Sequence, residues 1–221
     1  MGTDRVSFRS RVRLVDEVAE ELRERIYSGA FPLGAPLRQD ELAEDLQISR
    51  TPLREAIRVL ENEGLLQSAP NRTVRVVTAD LPKLLAAYQV REVLDGLAAR
   101  LAAASEDHEG RHALKAIIER QVEALDPWDA AAYTHANVDF HKAVMTLAAN
   151  PYLSAQLPLV RMTSQVFNPV ALLEYERAAL AVKEHREIVA AIVAGDGDES
   201  ERLARVHIRT TITRISQQGD A

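Results

Sequence analysis

Three arginines, Arg50, Arg54 and Arg58, recur at intervals of four within SRTPLREAIRVLENEGLL, residues 49–66. Residues four apart share one face of an α-helix, so a helix here aligns three guanidinium groups. A guanidinium forks onto guanine O6 and N7 or onto phosphate, which is the chemistry of reading duplex DNA. Ser49 and Thr51 stand where such a helix begins, and hydroxyls beside free N–H groups at a helix N-terminus add phosphate contacts. Alone, an arginine row is more often a solvated face, and this chain carries a formal net charge of −6. The neighbouring elements must decide.

A second set of residues is the histidines. His141 falls on a stripe with Val138, Val144, Met145 and Ala148, and Asn137 shares its face one turn earlier. His185 sits among Ala181, Val182, Ile188, Val189 and Ile192, and His207 lies between Leu203 and Thr210 or Thr211 on the last helical segment. His108, His112 and His135 lie off such faces. A lone inward histidine is usually a hydrogen-bonded core residue, whereas neutral imidazoles from three helices suit Zn²⁺ or a similar divalent cation if they converge. The chain has no cysteine, so any metal must be held by His, Asp, Glu or Asn. Arg91 falls on an apolar stripe with Tyr88, Leu94 and Ala98, where a guanidinium must be paired, and Asp95 at i+4 is one available partner. Three imidazoles with an open position could also activate water in a hydrolase or isomerase, but no Asp or Glu is an obvious base on the same faces.

The elements that position the arginines read as follows. Apolar spacing predicts a helix over 14–27 closed by Gly29, then a Gly- and Pro-rich turn, GAFPLGAPL, then a short helix around 40–46. The third helix begins at Ser49 or Thr51 with Pro52 in its first turn, buries Leu53, Ala56, Ile57 and Leu60, and stops at Gly64. LLQS and TVRVV then read as a β-hairpin with Asn71 and Arg72 at its tip. Three helices and a hairpin make a winged helix-turn-helix over residues 1–78. From TADLP onward every segment is helical, with helices expected over 81–104, 109–125, 129–149, 151–167, 172–194 and 198–216. The fold class is therefore mainly α: a winged head, then an all-α antiparallel bundle of about six helices over 79–221 with room for a ligand cavity.

The 221 residues, about half apolar and about a quarter charged, suit one large or two small domains. No run approaches the length needed to span a bilayer, and the N-terminus lacks a signal-peptide core, so a cytoplasmic protein without a membrane partner is expected. Most of the excess acid lies beyond residue 78, which leaves the head free to meet DNA.

LRQDELAEDLQISRTPLREAIRVLENEGLL, residues 37–66, resembles the DNA-binding signature of the GntR family of bacterial transcription regulators. The resemblance implies operator contacts from Arg38, Arg50, Arg54 and the wing tip with Arg72, Arg58 lying further along; Thr73 stands where the family commonly has Gly. VREVLDGLAARLAAA, NVDFHKAVMTLAANPYL, EHREIVAAIVAGD and ARVHIRTT resemble blocks of the FCD effector domain of the FadR branch. That resemblance implies a divalent metal, zinc foremost, held by His141, His185 and His207, with Asn137 where Asp is usual. It also implies a small carboxylate effector fixed by Arg91, with Arg161, inward beside Leu157 and Ser164, as a second candidate. A homodimer that releases or grips operator DNA when its ligand binds is the function expected, and no enzyme activity.

Overall fold

The computed structural model describes residues 8–69, 73–78, 81–166 and 174–219. The chain divides into two compact units, Met1–Ala79 and Asp80–Ala221.

In the first unit, α1 (Phe8–Tyr27) buries Val18, Ala19, Leu22 and Ile26 against α3 (Arg50–Asn62), whose Leu53, Ala56, Ile57 and Leu60 are also buried. Burying a side chain of leucine size contributes roughly 1.5–3 kcal/mol, so this pairing fixes which face of α3 is left to solvent. Ser49 is the N-cap of α3, with extended backbone at φ −74° and ψ 161°, and its hydroxyl makes no capping hydrogen bond. Gly64, at φ +76°, turns the chain from α3 into β2 (Leu66–Ser68) through a conformation that suits glycine. β2 pairs antiparallel with β3 (Val74–Val76), Leu66 opposite Val76.

The Gly- and Pro-rich segment read as a turn also contains β1 (Pro36–Leu37), which pairs with β3 in the order β1-β3-β2 before α2 (Gln39–Asp45) begins. Buried Leu37 anchors this edge, where a proline without an N–H is tolerated. Asn71, Arg72 and Asp80 lie outside the described residues.

The second unit contains α4 (Leu81–Ala103), α5 (His108–Glu123), α6 (Ala130–Leu147), α7 (Pro151–Ser154), α8 (Leu157–Arg161), α9 (Tyr175–Ala194) and α10 (Gly197–Gly219). Asp107, Asp129 and Asn150 cap α5, α6 and α7 by accepting backbone N–H groups. α10 lies along α4 over the small side chains Ala98, Ala99 and Ala102, and at Gly96 a Cβ would come within 2.7 Å of Arg205 Cγ. The core gathers Phe140, Met145, Ile188 and Ile192 from α6 and α9 around these helices.

One expected helix, 151–167, is not continuous. Pro158 lacks the N–H that would bond Ser154, and its ring would meet that carbonyl, so α7 ends at Ser154 and α8 restarts with Pro158 in its first turn. α8 then widens into a π-helical turn, Met162–Val166. Among the described residues no helix is long and apolar enough to cross a membrane.

Candidate DNA-reading groove and histidine pocket

On the head, the exposed face of α3 and the start of α2 border an open groove of about 850 Å³ lined by Arg38, Arg50, Arg54 and Arg58, with Ser68 and Thr73 on the sheet side. Each arginine expected to meet DNA at its floor is held by a side chain from α2. Arg38 Nη1 donates to Glu41 Oε1 at 2.8 Å, Arg50 Nε pairs with Asp40 Oδ1 at 2.9 Å, and Arg54 Nε donates to Gln39 Oε1 at 3.3 Å. Ser49 and Thr51 are exposed at the N-terminus of α3, where the first N–H groups lack intrahelical partners.

In the helical unit, α6, α9 and α10 bring His141, His185 and His207 together, all buried, with candidate ligand atoms all within 4.8 Å of one another. The hydrogen bonds around two of them, His185 and His207, assign their tautomers. Gln121 Nε2 donates to the Ala136 carbonyl, which leaves Oε1 to accept from His185 Nδ1 at 2.8 Å. His207 Nδ1 donates to Glu184 Oε2 at 2.6 Å. Both Nε2 atoms are thereby lone-pair acceptors, yet they face each other at 3.2 Å. Two acceptors at that distance repel unless a cation or proton lies between them. Tetrahedral Zn²⁺ with N ligands at about 2.0–2.1 Å holds such atoms roughly 3.3 Å apart, so this pair fits a metal.

Burial is the main cause that drives all three imidazoles toward the neutral form. His141 and His185 fall well below the usual histidine range and His207 falls to about 3, helped by the positive charges of Arg91 and Arg177. Neutral imidazole is the form a metal takes. Beside them is a small polar cavity of about 40 Å³, lined by Arg91, Tyr133, Asn137, His141, Arg177, His207 and Thr211 among others. That is room for about three waters.

Residues 14–76 match the model described as "Bacterial regulatory proteins, gntR family", and residues 86–210 match the FCD domain. The chain belongs to the GntR family. A relative named "Probable D-xylose utilization operon transcriptional repressor", from Paenarthrobacter nicotinovorans, is 29% identical over 90% of this chain and 87% of its own length. A relative named "HTH-type transcriptional repressor NanR", from Enterobacter sp. (strain 638), is 26% identical over 91% and 85%. The solved structure of E. coli McbR/YncC shares the fold with a TM-score of 0.79, at 23% identity over 93% of this chain and 98% of that one. As a GntR-family member with an FCD domain, the chain is a transcription regulator with a DNA-binding helix-turn-helix, and not an enzyme.

Within this GntR-type chain, the cavity joins most residues that the sequence singled out. Asn137, His141 and His207 line it, and His185 sits behind them, its ring centroid 4.5 Å from that of His207. Arg91 lines it too, gripped by Asp95 Oδ2 at 2.8 Å from Nη2 and by Thr163 Oγ1 at 3.0 Å from Nη1, so the i+4 pairing with Asp95 does form. Arg161 is displaced from the expected role. It is half-buried, donates to Gln165 Oε1 at 3.3 Å, and is not among the cavity residues, whereas Thr163 and Ser164 meet Arg91. Arg177, which sequence reasoning passed over, takes a place in the wall.

Two carboxylates accompany the histidines, although neither lies on the histidines' own helical faces. Asp95 Oδ2 lies 3.6 Å from His141 Nδ1, and Glu184 holds His207. Burial pushes both carboxyl groups up, against the pull of Arg91 on Asp95 and of Arg177 on Glu184. Asp95 shares a face with Arg91 at i+4, so the sequence did signal it. Glu184 precedes His185 and belongs to a different helical face, so only tertiary packing reveals it.

Proposed function

We propose that this chain is an effector-responsive repressor that acts as a homodimer in the cytoplasm, with residues 1–78 binding operator DNA and residues 79–221 sensing a small organic acid. Arg38, Ser49, Arg50, Thr51, Arg54 and Arg72 contact the operator. Asn137, His141, His185 and His207 hold a divalent metal, zinc by the chemistry of the donor set, and Arg91 fixes the effector carboxylate beside it. The metal supplies a positive charge for the acid to ligate; the residues around it orient that acid and keep the histidines deprotonated.

The observation that carries the reading is the pair of imidazole acceptors facing each other at 3.2 Å beside a cavity walled by guanidinium and hydroxyl groups. The names of the two relatives above support repression. Val90, Val93 and Leu97, exposed at 52%, 51% and 37% on one stripe of α4, give the helical unit an apolar face for a second copy to cover. Two identical heads then match a palindrome, and the ligand acts by shifting the population of head arrangements.

The test uses an operator fragment selected from random DNA by the intact protein. Arg50→Ala and Arg54→Ala each weaken binding by about 1–3 kcal/mol in gel shifts, with the protein still folded. Normal affinity in both variants overturns the assignment of the head, and operator binding indifferent to zinc together with small acids overturns that of the pocket.

A further inference from the structure

The hydrogen-bond donors around the cavity are not all satisfied. Arg91 pairs with Asp95 at 2.8 Å, and Glu184 accepts from the neutral His207 at 2.6 Å while acting on Arg177 through its charge alone. Arg177, in the first turn of α9, is left with a hydroxyl: its Nη2 donates to Thr211 Oγ1 of α10. Its Nη1 is buried and has no hydrogen-bond partner, and the same is true of Arg91 Nε. Both residues line the cavity. A buried, unpaired N–H of a charged group is costly, and two of them on residues around one cavity call for an acceptor that the protein does not supply. Tyr133, another wall residue, is held in its protonated form by burial and so remains an O–H donor. The wall is rich in donors and poor in anions. A divalent cation among the histidines adds two more positive charges, which one monocarboxylate cannot offset.

We propose that Arg177, with Thr211 and Tyr133, is a second anion-binding point of this pocket, and that its ligand is a small diacid spanning Arg177 and the Arg91–histidine end. The small cavity, about 40 Å³, suits a small ligand, an acid of roughly two to three carbons. The proposal rests on the reading of the pocket as an effector site, and adds to it the number of acidic groups, the size of the ligand and the residue that selects for the second group.

The experiment is calorimetric titration of the zinc-loaded full chain with malonate and with acetate. It compares the wild type with Arg177→Gln and Arg177→Lys, and checks folding by melting followed through Trp128 fluorescence. The wild type prefers malonate by about tenfold or more. Arg177→Gln removes that preference and leaves acetate binding within about twofold, while Arg177→Lys, which keeps the charge without the fork, keeps part of the preference. Equal affinities of the wild type for the two acids, or an Arg177→Gln variant that keeps the preference or loses both acids alike, overturns the second anion point alone. Failure of the zinc-loaded wild type to bind either acid overturns the effector reading beneath it as well.

Discussion

Lowering the pH from 7 to 5.5 should unfold the metal-free helical unit more readily, and the size of the effect follows from the buried histidines. In the unfolded chain His141, His185 and His207 titrate near 6.5; in the folded chain burial holds all three neutral far below that, His207 down to about 3. The unfolded state thus binds more protons as pH falls through 6.5. Each histidine withdraws about 1.4 kcal/mol of stability per pH unit, and its contribution, full above the unfolded value, is lost on the way down to the folded one. Asp95 and Glu184 act oppositely, because their folded values are raised and falling pH favours the folded form. The three histidines withdraw about 4 kcal/mol between pH 7 and 5.5, the two carboxyl groups return part of it, and the net loss of up to about 4 kcal/mol is a large part of the roughly 5–15 kcal/mol that a domain commonly has. Trp128 is the sole tryptophan and packs against Tyr133 and Tyr175, so its fluorescence reports the helical unit alone. In chelator-stripped protein the urea midpoint should fall by about 0.5–2 M over this range, and His207→Gln should shallow the slope by about one proton. A midpoint that holds steady or rises on acidification refutes the reasoning, as does a slope unaltered in the variant.

Three further outcomes are expected. Gln121→Leu removes the acceptor that orients His185 and should weaken zinc binding by about 10–100-fold in competition with a chelating dye; unchanged affinity removes Gln121 from the site. Asn137→Asp adds a carboxylate to the donor set and should tighten zinc by about tenfold or more, whereas no change means that Asn137 is not a ligand. Val93→Asp places a charge in the exposed α4 stripe and should give a monomer in native mass spectra at micromolar concentration; a persistent dimer assigns the interface elsewhere.

Local patterns carried much of this structure in the sequence. The apolar stripe of α3, its Ser49 start and its Gly64 stop follow from helix periodicity and turn chemistry, and the inward faces of His141, His185 and His207 follow from the same period. What periodicity could not reveal lies between helices. Gln121 and Glu184 are ordinary polar residues on their own helices and acquire meaning only where α5, α9 and α10 meet. Arg177 sits in a first turn and reads as a surface charge until α10 supplies Thr211 beneath it. β1 is two residues long, too short for any alternation, and exists because β3 offers it an edge.

The π-helical turn at Met162–Val166 gives the pocket a sensitivity to chain length that composition alone would not. Neighbouring residues on an α-helix point about 100° apart, yet Thr163 and Ser164 both turn their hydroxyls to Arg91 Nη1, at 3.0 and 3.4 Å. The extra residue in that turn works as a spacer that lets consecutive side chains share one guanidinium. Deleting one residue there would keep every chemical group of the pocket and restore a regular helix, but swing the chain after it by about 100° and strip Arg91 of one hydroxyl. A change in residue count at this point therefore retunes the grip on Arg91 with no substitution in the wall itself.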